Sequence, residues 1–317
     1  MIPQARELKT AWAWACRLDV AVAKPGNVSL ASPGHGMQAR DFLASAEAAA
    51  DAICSPGAGV GARIEAAVVA TRTAVGCNTN LGIVLLCAPL AAAWQQAIRH
   101  DPAGLRLALG DVLERLDRSD AAAAYRAIAL AAPGGLGRAQ VEDVHDEPAV
   151  DLRQAMALAA GRDSIARQYR DGFGEVLDEG LAELAVAAPS LDDAVLRVFM
   201  RHLARRPDSH IVRKLGERIA QPVTEQAGAW LLRLRSQRAA AWREELAAWD
   251  KSLKARGINP GTSADLTVAT LFCGALLWPA CVSAPVGASW HGFCMASSRN
   301  ERQSAFGRPD PLGGRSG

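Results

Sequence analysis

The chain has 317 residues, with 35 lysines and arginines against 33 aspartates and glutamates, so its formal net charge at pH 7 is +2. This near balance argues against a protein that coats nucleic acid, which needs a strongly basic surface. Half of the residues are apolar, only 5% are aromatic, and alanine is abundant. Such a composition favours helices over sheets, because sheets prefer β-branched and aromatic side chains.

Cysteine usage and the charge pattern exclude further classes of protein. The seven cysteines are an odd number without a C-x-x-C pair, which predicts neither a disulfide framework nor a structural zinc site. Charges throughout the N-terminal segment argue against a signal peptide. The stretch 266–290 is uncharged and long enough to span a bilayer, but Pro279 and Pro285 interrupt it. We therefore expect a buried helix that ends near Trp278, no membrane span and a cytoplasmic protein.

Helical periodicity dominates the chain. In 59–75 and in 239–256, apolar residues recur at i, i+4, i+7 and i+11, the spacing of one helical face. A polar loop is predicted at 134–150, and no segment shows the two-residue alternation of a strand. The same reasoning predicts helices over 3–23, 38–54, 81–98, 102–116, 119–131, 173–187, 190–205, 209–220 and 222–238.

These elements predict one all-α domain of about ten or more helices over residues 1–278. The remaining residues, 279–317, are rich in Gly, Ser, Pro and Arg. Because such a composition buries little apolar surface, we expect a disordered C-terminal tail there.

Four segments at predicted helix ends carry more polar residues than a simple turn or cap requires. The first is 24–29 (KPGNVS), where Lys24 beside Pro-Gly places a cation on a rigid turn, which suits phosphate; the alternative is an ordinary turn. His35 and Asp41 follow this segment. The second is 78–82 (NTNLG), which opens an apolar helix. A helix N-terminus attracts anions, and the alternative here is simple capping.

Acidic and basic residues mark the next two candidates. In 207–214 (PDSHIVRK), Asp208 or Ser209 caps a helix whose first turns are basic. The alternative is a solvated basic helix. Glu65, on the helix before the second segment, is a candidate carboxylate, and its alternative is a surface ion pair with Arg72.

The fourth segment is 259–266 (NPGTSADL). Thr262 and Asp265 resemble a capping box, which would explain them structurally. However, the residues that follow are apolar enough for a central helix, so Asp265 would be largely buried. A buried carboxylate requires a partner, a metal or a shifted pKa, which favours a functional role.

In this order, KPGNVS, NTNLG, DSHIVRKLG and NPGTSADLTVATLF resemble the triphosphoribosyl-dephospho-CoA synthase family, from about residue 10 to 278. The resemblance implies an all-helical pentosyltransferase in which the 2′-hydroxyl of 3′-dephospho-CoA attacks C1′ of the ATP ribose. Adenine leaves, and the triphosphate stays on the transferred sugar. The implied partners are ATP with Mg²⁺ and 3′-dephospho-CoA, or another phosphorylated cofactor precursor, rather than nucleic acid or a membrane. A homodimer is a further hypothesis.

The resemblance and the chemistry together select the candidate site. Ribosyl transfer passes through an oxocarbenium-like state that needs a carboxylate and a base, and a triphosphate needs cations. The candidates for catalysis and for Mg²⁺ are Asp265, Asp208 and Glu65, and their division into base and metal ligand stays open. The candidates for nucleotide and phosphate binding are Lys24, Gly26, Asn27, Asn78, Thr79, Asn80, Gly82, Ser209, Arg213, Lys214, Asn259, Gly261, Thr262 and Ser263. His35 and Asp41 are further candidates.

Three departures from the family pattern leave the acceptor open. Asn80-Leu81 stands where the family usually has a lysine, residues 120–126 replace a T-H-G-E-like segment, and Gly261-Thr262 replaces a Gly-Gly pair. One alternative is therefore an enzyme of one-carbon cofactor biosynthesis, of the methanopterin or methylofuran type, that uses a nucleotide or phosphorylated substrate. Another alternative is a non-catalytic helical scaffold.

Overall fold

The structure is a computed structural model that describes residues 3–139, 141–236, 242–283 and 289–292. Within these ranges the chain forms fourteen α-helices and, apart from three isolated bridges, no β-structure. The helices are α1 (Pro3–Ala21), α2 (Ala39–Ile53), α3 (Val60–Val75), α4 (Leu81–Gln96), α5 (Pro102–Glu114), α6 (Arg118–Ala131), α7 (Leu152–Ala159), α8 (Ser164–Asp171), α9 (Leu181–Ala185), α10 (Leu191–Arg205), α11 (Ser209–Leu215), α12 (Glu217–Ser236), α13 (Arg243–Ala255) and α14 (Gly261–Leu277). The predicted all-α fold is confirmed.

Helix α14 forms the centre of the fold. Fourteen of its 17 residues are buried, and it packs against α1, α4 and α10. The ring of Trp12 on α1 contacts that of Phe272 edge-on, with the centroids 6.4 Å apart. Because α14 and α4 are apolar on all sides, the polar segments at their N-terminal ends lie against the interior of the domain.

Aspartates begin several helices by accepting hydrogen bonds from the backbone N–H groups of the first turn. Asp101, Asp117, Asp151 and Asp163 do so for α5, α6, α7 and α8. These bonds satisfy amides that have no partner within a helix. Apolar periodicity does not predict α7 and α8, because eight residues make only about two turns. The aspartates at their N-caps are the clearest indication of these two helices in the sequence.

Two boundaries differ from the prediction. The break between α11 and α12 falls at Gly216 instead of residue 221, and Pro222, the first residue of the predicted second helix, lies inside α12. The φ angle of Gly216 is +87°, in the left-handed region that favours glycine. The predicted helix over 173–187 is a π-helical turn, Glu175–Gly180, that continues into α9.

The tail is predicted to begin at residue 279, but described residues beyond this point are folded. Residues Pro279–Ser283 form a 3-10 helix, in which Cys281 is buried. Trp290 is 6% exposed, and its Nε1 donates to the backbone oxygen of Leu184 at 2.9 Å. Trp290 is buried against α9, and Cys281 near Gly274 of α14. Both residues of the predicted tail are therefore packed on the domain. The rest of the predicted tail lies outside the described residues.

No helix in the described part of the chain is long and apolar enough to cross a membrane. The six cysteines within that part are all unpaired.

Candidate active site

The four polar segments meet at the N-terminal end of α14. Nδ2 of Asn27 donates to Oδ1 of Asn259 at 3.0 Å, and a Cβ on Gly26 would lie 2.8 Å from Cδ of Pro260. Gly26 also has a φ angle of +79°, so only glycine suits this contact. NTNLG joins the same place through Gly82, which lies against Asp265. DSHIVRKLG joins it through Asp208, which accepts from the amide of Ser263.

Lys24 is buried instead of lying on the surface as a cation for phosphate. Its side chain is fully shielded from solvent, and its Nζ pairs with Oδ1 of Asp19 at 3.0 Å. Nζ also donates to the backbone oxygen of Asp19 and, at 3.5 Å, to that of Val22. Because these acceptors use the three N–H groups of the ammonium, Lys24 stabilises the end of α1 and the buried charge of Asp19. The predicted direct contact with phosphate does not fit this geometry.

Asp19 is a candidate functional residue that the motifs do not include. It lies on the buried face of α1 with Leu8, Trp12 and Ala15, at the i, i+4, i+7, i+11 spacing of an apolar stripe. A carboxylate in such a stripe interrupts the apolar pattern. This interruption is the feature of the sequence that could have identified Asp19 as a candidate.

Asp265 is the fifth residue of α14, just after its first turn, and faces the start of α4. A Cβ added to Gly82 would overlap Oδ2 of Asp265 and lie 2.6 Å from its Cγ. Burial raises the pKa of Asp265 well above the ordinary value, and the charges of Asp19, Asp208 and Asp163 raise it further. Among the described residues, none donates a hydrogen bond to this carboxylate or forms an ion pair with it. Its carboxylate oxygens are therefore available to a ligand.

Residue Pro260 is the N-cap of α14, without a side-chain hydrogen bond to the first turn. Thr262 and Asp265 both lie inside the helix, so the capping box that would have explained Asp265 structurally does not form. The structural alternative for Asp265 is therefore wrong.

Asp208 caps two helices at once. Its Oδ1 accepts hydrogen bonds from the amides of His210 (2.9 Å) and Ile211 (3.2 Å) at the start of α11. Its Oδ2 accepts from the amide and the hydroxyl of Ser263 on α14, both at 2.7 Å. Burial raises the pKa of Asp208, and these hydrogen bonds oppose the rise. Four donors occupy the carboxylate, so the geometry favours a structural role over the predicted catalytic or metal-binding one.

Ser209 and Thr262 link three helix N-termini. The hydroxyl of Ser209 donates to Oγ1 of Thr262 at 3.0 Å and accepts from the amide of Ser164 on α8 at 3.3 Å. All three residues are buried. The N-terminal ends of α8, α11 and α14 therefore lie side by side.

The three polar residues of NTNLG have different surroundings. Oδ1 of Asn78 accepts from the amide of Leu81 at 3.2 Å, and Oγ1 of Thr79 is 2.5 Å from Oγ of Ser45 on α2. Asn80 is 4% exposed, yet neither Oδ1 nor Nδ2 has a partner. Leaving such groups unpaired costs about 1–3 kcal/mol each. Asn80 is thus the residue of this segment that is free to bind a ligand.

Two cations flank the site on α11. Nη1 of Arg213 is 3.4 Å from Oδ2 of Asp163, and its Nε donates to the backbone oxygen of Gly134 at 3.1 Å. A Cβ on Gly134 would lie 2.9 Å from Cε of Lys214, which is exposed. The long loop after α6 therefore packs on both basic residues, a contact that the sequence does not predict.

Two histidines lie near the same helix ends. Burial lowers the pKa of His210 to about 3, and the charges of Lys214, Arg213 and His35 contribute to the shift. A Cβ on Gly261 would lie 3.0 Å from Nδ1 of His210, so the two segments touch. Nε2 of His35 is 2.8 Å from the backbone oxygen of Gly26.

Glu65 and Asp41 have partners of their own. Glu65 on α3 forms a two-point ion pair with Arg126 of α6, at 2.6 and 2.7 Å, in place of the predicted pair with Arg72. Hydrogen bonding to Arg126 lowers the pKa of Glu65. Asp41 accepts from the amide of Gln38 at 2.8 Å and so caps α2. The structure gives neither carboxylate a contact with the four segments.

Comparisons with known proteins identify the family of the chain. The sequence profile of the ATP:dephospho-CoA triphosphoribosyl transferase family matches residues 5–281. A solved structure from Archaeoglobus fulgidus, assigned as a triphosphoribosyl-dephospho-CoA synthase, is 25% identical, with a TM-score of 0.58, over 75% of this chain and 98% of that one. No curated protein matches the sequence. The chain therefore belongs to the ATP:dephospho-CoA triphosphoribosyl transferase family, whose members are pentosyltransferases.

Proposed function

We propose that the protein transfers the 5-triphosphoribosyl group of ATP to the 2′-hydroxyl of 3′-dephospho-CoA and releases adenine. The bond from C1′ to adenine breaks, a bond from C1′ to the 2′-oxygen forms, and the hydroxyl proton leaves that oxygen. The observation that carries this proposal is the meeting of the α4 and α14 N-termini at Asp265, beside the unpartnered amide of Asn80.

Helix N-termini suit the triphosphate. Their free N–H groups and partial positive charge favour anions. Gly82 and Gly261, in the first turns of α4 and α14, carry no side chain that would keep a phosphate from the backbone. Arg213 and Lys214 add positive charge at the edge of the site. Lys24 contributes indirectly, because it neutralises Asp19 next to Asp265.

Asp265 is the carboxylate best placed for the reacting atoms. There it would either accept the proton of the attacking hydroxyl or hold Mg²⁺ that arrives with the nucleotide. A base with a raised pKa binds a proton more readily than an ordinary carboxylate. The two roles predict different behaviour of Asp265→Asn, because excess Mg²⁺ would restore part of the activity only if Asp265 is a metal ligand.

The residues present fit a nucleotide-borne Mg²⁺ better than a metal site built by the protein alone. Among the described residues, no group of three or more His, Cys, Asp or Glu side chains could hold a metal ion. Mg²⁺ usually takes one or two carboxylates and completes its shell with phosphates and water. Asp265 would supply such a carboxylate, and Mg²⁺ would neutralise charge on the triphosphate.

Incubation with ATP, Mg²⁺ and 3′-dephospho-CoA tests the proposal, with free adenine as the readout. Adenine should appear together with a product of dephospho-CoA that carries the triphosphoribosyl group, and Asp265→Asn should form neither. Release of ADP or AMP instead would indicate a kinase or a ligase and contradict the proposal. Adenine that forms only with another phosphorylated acceptor would support the one-carbon cofactor alternative.

The scaffold alternative needs a separate measurement. A ligand that binds only the native state raises stability, so ATP with Mg²⁺ should raise the melting temperature of the wild type. A scaffold that has lost the site would show no such rise and no adenine release.

A further inference from the structure

Two arginines lie close together between α8 and the end of α10, next to the candidate active site. Arg167 is on α8, and Arg206 follows α10 directly, two residues before Asp208. Arg167 is three residues after Ser164, and Arg206 is three residues before Ser209, so the 3.3 Å contact from the Ser164 amide to the Ser209 hydroxyl brings the two arginines to the same place. In agreement with this, burial lowers the pKa of Arg167, and the positive charge of Arg206 lowers it further. The contact between Ser164 and Ser209 joins α8 to α11 beside them.

Each of these guanidinium groups has a buried N–H group without a partner. Nη1 of Arg167 and Nε of Arg206 are shielded from solvent and make no hydrogen bond. The other contacts are few: Nη2 of Arg167 donates to the backbone oxygen of Gly161 at 3.3 Å, and Nη2 of Arg206 lies 3.0 Å from Oε1 of Glu175. Buried donors of a charged group are costly to leave unpaired. They indicate an acceptor that the chain does not supply.

The charges around the two arginines do not balance. The cluster consists of Arg167, Arg170, Arg201, Arg205 and Arg206 with the carboxylates Asp171, Glu175 and Glu179. Five arginines and three carboxylates leave two positive charges in excess. The adjacent pairs Arg213–Asp163 and Arg106–Asp178 are neutral and do not change this excess. A phosphate ester or a diphosphate carries a matching negative charge.

We propose that Arg167 and Arg206 form a phosphoanion subsite that holds a phosphate or diphosphate group of one of the two substrates, while the region around Asp265 holds the reacting atoms. The planar guanidinium group binds phosphate oxygens through paired N–H groups, and this fits the two unpartnered donors. The inference rests on the proposed function in one respect, because ATP and dephospho-CoA are the substrates that bring such groups.

Pyrophosphate binding to the whole protein, measured by calorimetry at constant ionic strength, tests the subsite without the reaction. Arg167→Gln should raise the Kd about tenfold, the scale of a hydrogen bond to a charged group. Arg233→Gln is the control, because Arg233 lies outside this cluster, on α12, and pairs with both oxygens of Glu245. Its Kd should equal that of the wild type.

Arg206→Gln should weaken binding to a similar extent. Arg206 also pairs with Glu175, so melting without ligand shows whether this variant folds. If it does not fold, Arg167→Gln decides alone, because Arg167 forms no ion pair within 4 Å in the described structure. Wild-type affinity for pyrophosphate in Arg167→Gln would overturn the proposal.

Steady-state adenine release distinguishes the two substrates. A tenfold rise in the KM for dephospho-CoA alone assigns the subsite to the diphosphate of the acceptor, and a rise in the KM for ATP alone assigns it to the triphosphate. Unchanged KM values for both substrates contradict the subsite and leave the transferase intact. If no acceptor yields adenine, the proposed function fails, and the pyrophosphate measurement still decides the subsite by itself.

Discussion

Gly82→Ala separates a functional role of Asp265 from a structural one. In a helix, alanine is more favourable than glycine by up to about 1 kcal/mol, so a position that only builds α4 would gain stability. Here the added Cβ would overlap Oδ2 of Asp265 and lie 2.8 Å from Cδ1 of Ile165. The carboxylate is the end of a flexible side chain and can move away. Overpacking costs about 1–3 kcal/mol, so we expect a net loss of no more than about 2 kcal/mol.

Activity should respond far more strongly than stability. Misplacing a reacting group by about 1 Å can cost on the order of 10²-fold in rate, and the displaced carboxylate of Asp265 should produce a loss of that size. Adenine release and thermal unfolding are the two measurements. Gly110→Ala is the control, because Gly110 is exposed inside α5 and its Cβ would have no neighbour within 4 Å. That variant should gain about 0.5–1 kcal/mol and keep full activity.

Full activity in Gly82→Ala would show that the carboxylate of Asp265 is not needed where the structure places it. A loss of activity that merely follows a large loss of stability would also contradict the reasoning, because the two effects are expected to separate.

Three further perturbations give distinct outcomes. Asp265→Asn should lower adenine release at least ~10²-fold at nearly unchanged stability. Asp208→Asn should destabilise by about 2–4 kcal/mol, because the amide NH2 cannot accept the two hydrogen bonds from Ser263 and leaves those donors buried and unpaired. Ending the chain at Ser283 removes buried Trp290 and should cost about 3 kcal/mol in thermal unfolding; a disordered tail predicts no change. Burial lowers the pKa of His202 from 6.5 to about 3, so in this window the unfolded chain binds the extra proton. The free energy of unfolding should therefore fall as the pH falls from 6.5 to 3, by up to about 1.4 kcal/mol per pH unit, and His202→Gln should flatten the slope in acid titration.

Apolar periodicity locates the longer helices well, because each packs one face against the core. The helix predicted over 59–75 is Val60–Val75 in the structure. Periodicity is less informative where the geometry changes, as in the π-helical turn at Glu175–Gly180. There the longer hydrogen-bond interval alters which side chains share a face, and a pattern based on 3.6 residues per turn cannot show it.

The segments that form the site could be recognised from their order, but the partner of each side chain could not. The sequence predicts that Lys24 is a cation for phosphate, but in the structure its ammonium group pairs with Asp19 near the end of α1. The sequence predicts that Asp208 is a catalytic or metal-binding carboxylate, but in the structure it caps both α11 and α14. Both contacts depend on how distant helix ends pack, and a local sequence pattern carries no information on that packing.

Several residues around Asp265 are unfavourable for folding, and they are next to one another. Asp265 is close to the carboxylate of Asp19, whose charge is the largest contribution after burial to the raised pKa, and like charges in an interior destabilise the native state. Asn80 keeps both amide atoms buried and unpaired. A helical scaffold gains nothing from such groups. An enzyme that must hold a triphosphate and stabilise a positively charged ribosyl state gains from each of them, so their concentration at one helix junction favours a working transferase over a scaffold that retains only the fold.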